Sequence, residues 1–124
     1  MWLDRLVSDY RTLETWQKAH QLALTVYAAT ASYPGSERFG LTAQTRRAVV
    51  SVPSNVAEGA GRDSDRDFAR FVAIATASSN EVEYQLLLAR DLGYLSDDLF
   101  QALTVQNSGV RSMLNRLRQS LAAE

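Results

Sequence analysis

The chain has no cysteine, one histidine, one lysine and two prolines among its 124 residues. Without a thiol there can be no structural disulfide, thiolate zinc site, iron–sulfur cluster or cysteine nucleophile. With His20 alone, the Glu-x-x-His pairs that build di-iron sites in ferritin-like bundles are missing. Nothing in the sequence brings a particular serine to that imidazole for nucleophilic catalysis. No metal and no cofactor is expected. His20 sits beside the apolar positions Leu13, Trp16 and Ala23, where a hydrogen-bonded structural imidazole is the expectation. Long apolar runs are also lacking: no stretch approaches the roughly 20 residues of a membrane span. The first ten residues do not read as a basic run, apolar block and cleavage site. The expectations are therefore a cytoplasmic address and no membrane partner. Charge of one sign is scarce as well, the formal net charge being -1. Any surface for nucleic acid has to be local.

Hydrophobic residues make up 46% and charged residues 22%, ordinary values for a globular chain long enough to bury one core unaided. A single domain over 1–124 is expected, with an N-terminal extension at 1–12 and helices at about 13–32, 41–58, 64–92 and 96–122. In the first, Leu13, Trp16, Ala19, Ala23, Val26 and Tyr27 recur at threes and fours, and Pro34-Gly35 closes the pattern. The second carries Leu41, Ala48, Val52 and Val56 on one stripe with Pro53 inside it. The stripe keeps its phase past the proline, so a kinked helix is expected rather than two separate ones. Gly59-Ala60-Gly61 reads as its C-cap, since no strand precedes it to make a phosphate loop. Ser64-Asp-Arg-Asp67 resembles a capping box for the third helix, and Gly93-Tyr94 fits a Schellman stop. Ser96 with Asp97 and Asp98 opens the fourth, and Asn107-Ser108-Gly109 is where it would break. No window alternates like a strand. Short loops make sequential helices antiparallel neighbours, so the predicted fold is all-α, an antiparallel up-down-up-down four-helix bundle.

Leu86, Leu87 and Leu88 spread over about 200° of helix, more than one buried face needs. Trp2, Leu3, Leu6 and Val7 add further apolar surface. Self-association is the expected outlet.

Arg47, Ser51, Asn55 and Glu58 are spaced by four, four and three and share one helical face, while Ser78, Glu81 and Gln85 form a polar row on the third helix. The two rows predict a polar network at an interface, with Arg47 paired to Glu81 and Asn55 or Ser51 meeting the carbonyl that Pro53 frees. An acid–base pair of Glu58 and Glu81 is the competing reading, with no second proton carrier beside it. Twelve of the thirteen basic residues are arginine, the side chain suited to bidentate phosphate or carboxylate recognition. Arg62, Arg66 and Arg70 step by four, and Arg111, Arg116 and Arg118 gather late in the fourth helix; both groups are candidates for nucleic-acid binding. Asp63, Asp65 and Asp67 dilute the first group, and a structural role at the helix C-terminus competes for the second.

Several segments carry a family resemblance: Leu13-Glu-Thr-Trp16-Gln-Lys-Ala-His20, Glu37-Arg-Phe-Gly40-Leu41, Gln44-Thr-Arg46-Arg47-Ala48 and Ser51-Val-Pro53-Ser54-Asn55-Val-Ala57-Glu58-Gly59. Ile74-Ala75, Ser78, Glu81-Val-Glu83 and Leu92-Gly93-Tyr94-Leu95 continue it. From Leu13 to Leu95 the chain resembles the bacterial four-helix bundle proteins first noticed as products of intervening sequences within 23S ribosomal RNA genes. It departs at Ala77-Ser78-Ser79, where the family usually reads Gly-Ser-Leu, so helix packing there is expected to be wider and less greasy. The resemblance implies a closed bundle assembling as a ring, a homopentamer similar to the accessory protein of diversity-generating retroelements. That relative binds a reverse transcriptase and nucleic acid. No catalytic residues come with the resemblance. That likeness is one of fold and assembly; the expected function is a non-enzymatic oligomeric scaffold whose basic face contacts RNA or DNA, or alternatively a multivalent ring that takes a protein partner and no nucleic acid.

Overall fold

The structure, a computed structural model, describes residues 9–122. Four helices make the domain: α1 (Glu14–Thr30), α2 (Leu41–Ala60), α3 (Asp65–Asp91) and α4 (Asp97–Ala122). Short 3-10 turns at Tyr10–Thr12 and Gly35–Glu37 precede α1 and α2. No strand occurs among the described residues. The protein is an all-α four-helix bundle in which α1 packs on α2 and α4, and α3 packs on α2 and α4. Side-chain contacts run in opposite sequence order along facing helices: Ser51 meets Ser78 and Gly59 meets Phe68 between α2 and α3. Between α3 and α4, Ser79 meets Asn107 and Arg90 lies over Phe100.

The core is aliphatic. Leu22, Val26, Val49, Val52, Val56, Val72, Val82, Leu86, Leu103 and Leu114 are wholly or almost wholly buried, each large aliphatic chain contributing about 1.5–3 kcal/mol by leaving water. Leu86 is fully buried and Leu88 packs against the core, while Leu87 remains 36% exposed. Because α3 touches two neighbours, it absorbs most of the leucine spread, and one leucine is left over. Trp2, Leu3, Leu6 and Val7 lie outside the described residues.

Helix ends follow local chemistry. The Ser64 hydroxyl accepts from the Asp67 N–H and the Ser96 hydroxyl from the Leu99 N–H, each satisfying one unpaired first-turn donor. Gly93, at φ 84, closes α3 with Tyr94 N–H donating to the Ala89 carbonyl and Gly93 N–H to that of Arg90, the Schellman pattern. α1 stops at Thr30, earlier than the expected Ser32. There the Thr30 hydroxyl turns back onto the Val26 carbonyl, and Arg46 donates to the Thr30 hydroxyl and the Tyr27 carbonyl.

Three points differ from the sequence reading or refine it. α2 ends at the Gly59-Ala60-Gly61 tripeptide as expected, with Gly61 as its C-cap, but it runs two residues past Glu58 to Ala60, so Gly59 is a packing glycine inside the helix. A Cβ there would lie 2.7 Å from Phe68 Cδ1 and 2.9 Å from Phe71 Cβ. Asn55 donates to the Ser51 carbonyl and hydroxyl at 2.8 and 2.9 Å, not to the Val49 carbonyl that Pro53 leaves without its helical donor. One turn is as far as an asparagine on the same helix reaches. Finally, α4 runs unbroken through Asn107-Ser108-Gly109. Asn107 is fully buried, accepts from the Ser79 hydroxyl at 2.9 Å and donates to the Ser79 carbonyl at 3.0 Å. Ser79 is the partner that makes this asparagine tolerable.

Candidate functional site

Three surface features bring the candidate residues into place. The first is a polar cleft of about 410 Å³ between α2 and α3. Arg47 and Ser51 line it from α2, together with Gln44 and Ala48; Ser78, Glu81 and Gln85 line it from α3. At its base the Ser78 hydroxyl donates to the Ser51 hydroxyl at 2.8 Å, so the two polar rows do meet. Gln85 is only 7% exposed, and its Oε1 has no hydrogen-bond partner. The expected Arg47–Glu81 ion pair does not form. Both side chains are exposed at the rim, where water solvates each charge and little is gained by pairing. Glu58 lies beyond the cleft and pairs with Arg62 at 2.9 Å. Glu58 and Glu81 are therefore not neighbours, and no paired-carboxylate acid–base site is assembled.

The second feature is the arginine-rich end of the bundle, where α2 and α4 finish and α3 begins. A cleft of about 550 Å³ is lined by Gly61, Arg62, Asp63, Ser64, Arg66, Asp67 and Arg70. Asp67 pairs with Arg70 at 3.0 Å and approaches Arg62 at 3.8 Å. Both guanidinium groups lie 4.7 Å from the centre of the Phe71 ring. Such surface pairs contribute little stability, about 0–1 kcal/mol each, but they orient the two forks. Arg66 is exposed and has no ion pair or ring contact among the described residues. In α4, Arg116 and Arg118 are likewise exposed and unpaired. Arg111 differs: it donates to Asn80 at 2.8 Å and grips Glu83 with both nitrogens at 3.1 and 3.3 Å. It is a bidentate clasp between α3 and α4.

The third feature was not anticipated: an apolar groove of about 350 Å³ between α1 and α2. Trp16, His20, Ala23, Leu24 and Tyr27 form one wall, and Val50, Pro53 and Ser54 form the other. Leu24 is 59%, Tyr27 41% and Val50 39% exposed. The exposed His20 ring stacks on Trp16 at 5.0 Å, only 9° from parallel. It is held by ring contact and not by the expected hydrogen bond. The available signal was Leu24, which falls off the buried stripe of Ala19, Leu22, Ala23 and Val26.

Glu37, Tyr94 and Tyr33 hold the opposite end. Glu37 accepts from the Leu41 N–H at 3.0 Å and from the Tyr94 hydroxyl at 2.8 Å. These bonds, the Leu41 one first, hold its carboxyl below the usual carboxylate range, and the Tyr94 hydroxyl is raised in turn. Tyr33 is buried against Tyr94, and burial pushes its hydroxyl up to about 12.

No group of histidine, aspartate or glutamate among the described residues is arranged to hold a metal ion. No described helix is long and apolar enough to cross a membrane.

These features define a small four-helix bundle with a polar inter-helix cleft, an arginine-rich end and an uncovered apolar groove. The chain belongs to the 23S rRNA-intervening sequence protein family, whose profile matches residues 11–116. Its fold is similar to a crystal structure of a protein of unknown function from the S23 ribosomal protein family of Bacteroides thetaiotaomicron. The two share 21% identity with a TM-score of 0.73 over 81% of this chain and 94% of that one. No curated protein matches the sequence.

Proposed function

We propose that the protein is a non-enzymatic scaffold that works as an assembly of copies and presents its arginine-rich end to the phosphates of RNA or DNA. The observation that carries this reading is the set of three exposed arginines without acidic partners among the described residues, Arg66 beside the oriented pair Arg62 and Arg70, and Arg116 and Arg118 late in α4. A single copy, with net charge -1, offers few phosphate contacts. A ring multiplies them by its subunit number and so gains avidity. The assembly is taken as a homopentamer, which the family resemblance implies, with the apolar groove covered by a second copy.

Binding is expected to weaken steeply with salt as condensed counterions are released. Changing Arg66, Arg116 and Arg118 together to alanine should lower the slope of log K against log salt by about one per arginine contacting a phosphate. Fluorescence anisotropy with labelled single-stranded and duplex RNA measures this, and an unchanged slope removes these residues from the reading. The second reading is a multivalent ring that takes a protein partner and no nucleic acid. It draws on Asp63 and Asp67, which offset the neighbouring arginines. A partner captured equally well after nuclease treatment would favour it.

A further inference from the structure

We propose that the cleft between α2 and α3 binds a small zwitterion bearing both a carboxylate and an ammonium group, free amino acids being the class. The two walls have opposite chemistry. α2 supplies donors: the Arg47 guanidinium and, one turn on, the Ser51 hydroxyl. Ser51 Oγ already accepts from Ser78 and from Asn55, so its own hydrogen is left to donate. α3 faces these donors with the Glu81 carboxylate, at the same one-turn spacing from Gln85, which is buried at the floor of the cleft.

Arg47 and Glu81 flank the cleft and are not paired to each other. An anion alone is opposed by Glu81 and a cation alone by Arg47. A molecule carrying both charges meets both partners and leaves the site neutral. A guanidinium fork takes a carboxylate in two parallel bonds, and an ammonium donates to the Glu81 carboxylate. The volume, about 410 Å³, lies in the range of small-ligand sites. None of the arginines assigned to phosphate contact takes part, so this site stands or falls independently of the nucleic-acid reading.

The test is saturation-transfer NMR on the full chain with a mixture of the twenty free L-amino acids at millimolar concentration. Transfer to one or a few of them is expected. For the strongest, blocking the amine by N-acetylation or the acid as a methyl ester should each weaken binding about tenfold or more, the effect of losing a charge-assisted bond. Glu81→Gln should abolish the discrimination against the acetylated form, and Arg47→Met that against the ester. Both side chains are exposed, so circular dichroism should stay unchanged in each variant. Absence of transfer, or transfer indifferent to both substitutions, overturns the proposal. So does a change in oligomeric mass in these variants without amino-acid binding, which would make the cleft a contact between copies.

Discussion

Tyr33 and Tyr94 lie with ring centres 5.5 Å apart, yet only the Tyr94 hydroxyl has a partner. Burial alone raises Tyr33 to about 12 from 10.0. A raised acid contributes stability that is fully present below its unfolded value and lost as pH rises through the folded one, here between 10.0 and about 12. Tyr33→Phe should therefore flatten the alkaline limb of a melting-temperature profile, leaving the shallower fall due to Tyr94, with little change at neutral pH. Glu37 acts in the opposite sense: its carboxyl is lowered, so its contribution is present above the usual carboxylate range and fades as pH falls through the lowered value. Glu37→Gln should flatten the acid limb. At this scale the sequence was only partly informative. Arg47 and Glu81 could be placed on facing rows by spacing, but spacing does not say that both end at a solvated rim. Nor does it show that Arg111 is consumed by Glu83 while Arg116 and Arg118 are left exposed.

Helix starts and stops were legible because their causes are local. Ser64, Ser96 and Gly93 each act on backbone groups within a few residues. The end of α2 at Gly61 was legible, but the role of Gly59 was not, because its reason lies across the bundle, in the ring of Phe68 and the backbone-fixed Cβ of Phe71. Phe71 Cβ cannot swing aside as a side-chain tip can. Gly59→Ala should therefore destabilise the protein by about 1–2 kcal/mol, overpacking outweighing the roughly 1 kcal/mol that alanine gains in a helix. Urea unfolding at constant m-value measures it, and a stabilised variant would show that α2 and α3 separate at little cost. The continuity of α4 was equally out of reach of local propensity. Asn107 looks like a helix-weakening residue until Ser79 is placed opposite it.

For the molecule as a whole, the four-helix class was readable from periodicity because a bundle core demands apolar residues every three to four positions along each helix. Where the surplus hydrophobic surface would emerge was not readable. It depends on which faces the neighbours cover, and α3, with its run of three consecutive leucines, is covered on two sides. The groove of Leu24, Tyr27 and Val50 is one uncovered part of that surplus, and Phe39, Tyr84 and Val105 are exposed elsewhere. If a second copy covers the groove, Leu24→Glu should shift the mass measured by multi-angle light scattering toward a single chain with its helical signal intact. An unchanged mass would move the contact to another face.

The buried bond between Asn107 and Ser79 limits what assembly can do to the subunit. Sliding α4 by one turn, about 5.4 Å, would strand a carboxamide against hydrocarbon, at a cost of a few kcal/mol. The fourth rod is thus keyed to the third at one depth, and in the proposed assembly packing forces would be met by tilting the rigid subunit rather than by ratcheting its helices.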